Sequence, residues 1–321
     1  MTDFDTITKL KKSIFHDFKY KVVNEKCTEL YLNSENNIFS GSIRHLPESE
    51  KYLILEEISK LTDLQVLDLA FNKITHLPDS FLNLKKLKHV NFKSCRLAEI
   101  PLFLKDNTDI LSLNLSSNNL KKIPDFINDL TKLQNLNLSK NIKLQNIDII
   151  QNINNLQVLD LYLLSLKTMP EFIYKLKYLE SIFLWNVYKF KSPLNCFPNL
   201  KNIRWYGSQQ LKELPDGICM NQSILNFDFA MNNISLIPTD IKNLKNLKNC
   251  SFHNNVLTTL PDEFFHLTQL KKLDISNNQF KHLPEQLFSE LKLDWMGCYN
   301  NPLTSNTTTT TTTVYKRPFT S

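Results

Sequence analysis

One frame of residues recurs through this chain and limits its fold more than any other feature. In Leu64-Gln-Val-Leu67-Asp-Leu69-Ala-Phe-Asn72-Lys-Ile74, apolar residues hold positions one, four and six, and an amide holds position nine. The frame restarts at Leu87, Ile110, Leu133, Leu156, Leu179, Leu200, Ile224, Leu247, Leu270 and Leu293. The steps are 23, 23, 23, 23, 23, 21, 24, 23, 23 and 23 residues. Self-similarity at one fixed period of this length marks an array of identical supersecondary units. A divergent copy at Cys27, Leu30 and Leu32 precedes them, with an insertion before Ile43-Arg-His-Leu-Pro47.

The alternation at positions four and six predicts a short strand with one buried face, from Leu67/Leu69 through Ile203/Trp205 to Leu273/Ile275. No such strand is stable alone; stacked copies bury one continuous core. Proline marks the return path at Pro47, Pro78, Pro101, Pro124, Pro170, Pro215, Pro238, Pro261 and Pro284, each after an apolar residue. It ends the strand register and sets an extended or turn conformation. Apolar residues then return at helical or 3-10 spacing, as in Phe81 and Leu84. A strand layer facing a wider convex layer must curve. About eleven strands at ~4.8 Å spacing predict a concave sheet about 50 Å wide.

The frame resembles the leucine-rich repeat family, L-x-x-L-x-L-x-x-N-x-L, over residues 27–303. The expected fold is an α/β solenoid: a curved horseshoe with a parallel concave β-sheet and an irregular, 3-10 or short-helix convex side. The ladder amides are Asn72, Asn118, Asn141, Asn232, Asn255, Asn278 and Asn301, with Cys95, Leu164, Val187 and Ser208 as exceptions. A buried amide can satisfy backbone groups where the chain leaves the strand, and the resemblance implies that role. Phe4, Ile7, Leu10, Ile14 and Phe18 recur every three or four residues, so residues 1–26 are expected to hold a capping helix. Residues 304–321, with seven consecutive threonines from Thr307 to Thr313, are expected to be a disordered tail.

Composition narrows the function. The chain of 321 residues contains four glycines, Gly41, Gly207, Gly217 and Gly297, too scattered for a phosphate-binding loop or a nucleophile elbow. The net charge of +6 rests on dispersed lysines, with arginine only at Arg44, Arg96, Arg204 and Arg317. That pattern reads as a solvated surface rather than a nucleic-acid face. Six cysteines form no C-x-x-C pair, which points to a reducing, cytoplasmic setting without a metal site. No apolar run suffices to span a bilayer or to serve as a signal peptide. We expect no enzyme activity, cofactor, nucleic acid or membrane partner. His253 and Ser276, with Asp228 and Asp274 in the adjacent row, suggest an acyl-transfer triad, but an open polar sheet offers no oxyanion hole.

Concave positions five and seven carry small polar residues in most repeats. Three successive repeats instead carry Tyr162 and Leu163, then Phe183 and Trp185, then Arg204 and Tyr206. These residue types favour binding hot spots. They form either an interaction patch or a plug that folds inward, since the same repeats lack ladder asparagines. The 23-residue step with Leu-Pro resembles the Ras-group intracellular subclass. That resemblance implies a protein-binding scaffold in intracellular signalling, with a small GTPase or a phosphatase as partner. The alternative is a substrate-recognition adaptor or regulatory subunit of a larger complex such as a ubiquitin ligase.

Overall fold

The computed structural model describes residues 2–14, 18–33, 43–144, 147–164 and 166–304. Of the expected tail at 304–321, all but Thr304 lies outside them. The chain divides into two compact units, Met1–Ser165 and Leu166–Ser321.

The first unit opens with α1 (Asp3–Ser13). Thr2 and Asp5 cap it reciprocally: the Thr2 Oγ1 accepts the Asp5 N–H at 3.1 Å, and the Asp5 carboxylate accepts the Thr2 N–H at 2.8 Å. Ile7 and Leu10 are buried, and the buried Asp3 carboxylate accepts the Cys27 N–H at 2.8 Å. The helix is shorter than the expected 1–26. Residues β1 (Lys19–Val23) and β2 (Lys26–Tyr31) form an antiparallel hairpin instead. The β-branched and aromatic residues of Lys-Tyr-Lys-Val-Val suit a strand, and Asn24 and Glu25 turn it with φ of 48° and 63°. The return segment after Pro47 forms α2 (Glu48–Ile58), which buries Ile54, Leu55 and Ile58.

Parallel strands follow in one register: β3 (Val66–Asp68), β4 (His89–Asn91), β5 (Ser112–Asn114), β6 (Asn135–Asn137) and β7 (Val158–Asp160). The second unit continues the pattern with β8 (Ser181–Trp185), β9 (Asn202–Tyr206), β10 (Asn226–Asp228), β11 (Asn249–Ser251), β12 (Lys272–Asp274) and β13 (Trp295–Gly297). Here too each strand pairs in parallel with the next. Equal register follows from equal repeats, since a one-residue slip would turn every leucine to solvent.

Proline starts most return segments. Pro78, Pro101, Pro124, Pro170, Pro238 and Pro261 each precede a five-residue 3-10 turn, such as Asp79–Asn83 and Thr239–Asn243. A four-residue helix, α3 (Gln286–Ser289), takes this place after Pro284. The core lies between the strand face and these turns. In the second unit it is aromatic: Trp205 stacks on Phe229 at 5.6 Å, and Phe227 meets Phe252 at 6.0 Å.

The ladder amides bind neighbouring repeats together. Nδ2 of Asn118, Asn141, Asn232, Asn255, Asn278 and Asn301 donates to a carbonyl of the preceding repeat at 2.7–3.0 Å. Asn72 donates likewise to Leu32. Each Oδ1 accepts an N–H of the preceding repeat at 2.8–3.1 Å. At one ladder exception another group fills in, the Cys95 thiol donating to the Leu69 carbonyl at 3.1 Å; elsewhere the Trp205 indole N–H donates to the Val187 carbonyl at 3.0 Å. Position eight is left-handed in every repeat from Phe71 to Asn300, with φ of 53–71°. Glycine supplies that turn only at Gly207, which explains how so few glycines suffice.

Candidate functional site

In eight repeats the residue at position five marks where the strand stops. Asp68, Asn91, Asn114, Asn137, Asp160, Asp228, Ser251 and Asp274 each end a three-residue strand. The side-chain oxygen of each accepts the N–H two residues further on, at 2.9–3.4 Å. Such a turn removes that N–H from the sheet ladder. Sequence reasoning treats position five as open to any exposed residue; the structure gives it a local structural duty.

Phe183 and Arg204 cannot accept this bond. There, β8 and β9 run on for two further residues and pair through five positions, from Ser181/Asn202 to Trp185/Tyr206. The loss of two turns thus lengthens these strands into a two-stranded platform. Phe183, Trp185 and Tyr206 are partly exposed on it and Arg204 is exposed. Their neighbours hold them in place. The Arg204 guanidinium lies 5.4 Å from the Phe183 ring centre. The Tyr206 hydroxyl donates to Asp228 at 2.5 Å. The Trp185 indole covers Gly207 so closely that a Cβ there would sit 2.5 Å from its Cζ2. The rings lie on the outer side of the strands, while Trp205 is fully buried. Tyr162 and Leu163 belong to the first unit and sit in the turn after β7, not on a strand. Both are partly exposed, and Leu163 takes the left-handed position with φ of 56°.

Burial raises the Asp228 carboxyl above the usual carboxylate range, against the hydrogen bonds from Tyr206 and the Ala230 N–H and the nearby Arg204 charge. Burial likewise raises Asp160. The His253, Ser276 and Asp274 group does come together, in an order unlike a catalytic triad. The Ser276 hydroxyl donates to Asp274 and lies 2.8 Å from His253 Nδ1. Serine therefore stands between imidazole and carboxylate, and its proton is committed to the acid rather than the base. A triad needs the imidazole in the middle. Among the described residues no group of three His, Cys, Asp or Glu is placed to hold a metal ion.

Position three was missed in the sequence. It lies in the strand one residue before the buried position four, and so faces outward. In the second unit it reads Ser181, Asn202, Asn226, Asn249, Lys272 and Trp295. Its signal was a run of three amides in successive frames. Asn226 donates to Asn202 and Asn249 to Asn226, both at 2.5 Å, and Asn202 donates to the Ser181 hydroxyl at 2.8 Å.

Residues 245–303 match the family model described as Leucine rich repeat, and residues 63–84 match a second Leucine Rich Repeat model. A comparison with curated protein sequences found no match. Solved structures agree in fold. A leucine-rich repeat protein of Leptospira interrogans is 21% identical with a TM-score of 0.54, covering 93% of each chain. The functional domain of InlJ from Listeria monocytogenes is 22% identical with a TM-score of 0.60, covering 77% of this chain and 51% of that one. The Drosophila Toll–Spatzle complex gives 22% identity and a TM-score of 0.59 over 81% of this chain and 36% of that one. This chain thus spans about half of the second and about a third of the third. The matched segments share their frame with every repeat of both units, and the structure builds each frame the same way, so the fold of each unit is that of a leucine-rich repeat solenoid.

Proposed function

We propose that this chain is a non-enzymatic scaffold that binds another protein through the outward face of its strands, in a cytoplasmic signalling role. The observation that carries the reading is the β8–β9 platform, where Phe183, Trp185, Arg204 and Tyr206 stand partly exposed on paired strands. Holding rings at a surface forgoes the burial that stabilises them, and contiguous exposed apolar patches mark interaction sites. Tyr162 and Leu163 are further candidate contacts. Fold neighbours lend support, since Toll was solved with Spatzle bound. Free cysteines, several of them deeply buried, suit a reducing compartment. The 23-residue Leu-Pro frame, similar to the Ras-group subclass, favours a small GTPase or a phosphatase as partner.

The test is affinity capture with mass spectrometry, comparing wild type with Trp185→Ala plus Tyr206→Ala. We expect the double variant to fold, with unchanged far-UV circular dichroism, and to lose the partner that wild type retains. A folded double variant that keeps the same partner would place the interface elsewhere.

A further inference from the structure

The second unit holds a groove of about 520 Å³ that runs across the strands from Phe183 to Trp295. Its floor is the amide row Asn202, Asn226 and Asn249, aligned by strand register. A primary amide has two N–H donors and an oxygen with two lone pairs. Within the row, Asn202 and Asn226 each spend one N–H and one lone pair on neighbours. Each keeps one donor and one acceptor for an occupant. The charges lining the groove cancel, Arg204 and Lys272 against Asp228 and Asp274. Charge complementarity therefore calls for an uncharged, hydrogen-bonding occupant rather than an acidic or basic one.

Spacing selects among such occupants. Strands lie about 4.8 Å apart, so the alternate amides of the row, Asn202 and Asn249, stand about 9.6 Å apart. A β-strand presents the same face every ~6.7 Å and falls out of step with that row. A polyproline-II helix turns once in three residues of ~3.1 Å, about 9.3 Å, and stays in step. Its carbonyls have no internal partner and need donors such as the spare amide N–H groups. The groove ends in flat rings. Phe183 is held under Arg204, and Trp295 lies over Gly297, where a Cβ would sit 2.7 Å from the indole Cη2. Aromatic-lined grooves are the surfaces that proline-rich segments dock on.

We propose that this groove binds a polyproline-II segment of a partner protein, with its carbonyls on the Asn202–Asn226–Asn249 row and its prolines against Phe183 and Trp295. The proposal rests on the protein-binding reading but uses residues apart from Trp185 and Tyr206. A test is fluorescence anisotropy of the full chain with a labelled peptide of about nine prolines, three turns, against a Gly-Ser peptide of equal length. The proline peptide should saturate and the Gly-Ser peptide should not. Asn226→Ala with Asn249→Ala should weaken binding about tenfold or more, and Leu102→Ala, at an exposed return-turn position, should leave it unchanged. If the amide double variant melts early, Trp295→Ala carries the test, since it leaves the amide row intact. Absence of saturation, equal binding of the Gly-Ser peptide, or full binding by a folded amide variant overturns the proposal. So does saturable binding of maltoheptaose in place of the proline peptide, which would make this a sugar site. Loss of proline binding alone leaves the Trp185/Tyr206 reading standing. Partner capture that ignores Trp185 and Tyr206 fails that reading alone.

Discussion

Gly207 shows how much a single position can control. Its φ of 71° is the left-handed value that every repeat needs at position eight, and its missing side chain admits the Trp185 indole. Gly207→Ala therefore meets two penalties. The left-handed conformation costs an L-residue about 1–2 kcal/mol, and the new Cβ must displace the ring. We expect a lower melting temperature and a shifted tryptophan emission; an unchanged spectrum would refute the contact. Asn255 is the counterpart in the ladder. Asn255→Leu leaves the Ile234 N–H without its acceptor, while the Phe229 and Phe252 carbonyls keep the amides of Asn232 and Asn278. A buried orphan costs about 1–3 kcal/mol, so urea unfolding should show a loss of that size. Asp228 makes a prediction in pH. Its folded pKa is raised, chiefly by burial, so the folded state holds this proton more tightly than the unfolded chain. The stability it contributes is complete below the unfolded value near 3.9 and is lost as pH rises through the raised folded value. Asp228→Asn, which keeps an oxygen for the Ala230 N–H, should therefore gain stability relative to wild type as pH rises toward neutrality and lose that gain in acid. Melting curves across that range read the sign directly, and a gain that grows toward acid would contradict it.

At the scale of the element, position five shapes strand length from β3 to β12. Phe183→Asn restores an acceptor for the Trp185 N–H, and with it the turn that ends β7 or β10. Hydrogen exchange at Trp185 and Asn186 should quicken in that variant while the buried Ile182 and Leu184 region keeps its protection; unchanged exchange at Trp185 would separate strand length from this side chain. The same position shows what was legible in the sequence. Period-two alternation identified the buried leucines and the strands, and proline identified the return turns, because both rest on burial patterns that repeat. Alternation says only that Asp68 or Asn114 points outward. It does not show the oxygen turning back to a backbone N–H two residues on, which depends on local turn geometry. The amide row at position three escaped for a related reason: Asn226 looks like any exposed asparagine until register sets it beside Asn202 and Asn249. The β1–β2 hairpin was hidden by the helical spacing of Phe4 to Phe18, which Phe18 continues by coincidence of burial rather than by helix.

At the scale of the whole molecule, both units follow one rule, with the platform as its largest exception. Ladder asparagines and position-five turns recur in each unit, and each unit buries its own row of apolar residues. The exception lies in the second unit, where Phe183 and Arg204 replace turn-forming residues and the strands lengthen into a platform bearing Trp185 and Tyr206. The central claim is that this platform is where the partner binds. Hydrogen-exchange mass spectrometry of the chain with and without its captured partner tests it most directly. New protection should concentrate in peptides covering residues 181–187 and 202–208, with the return turns such as Asp79–Asn83 unchanged. Protection confined to the return turns, with residues 181–187 and 202–208 exchanging as in the free chain, would contradict it.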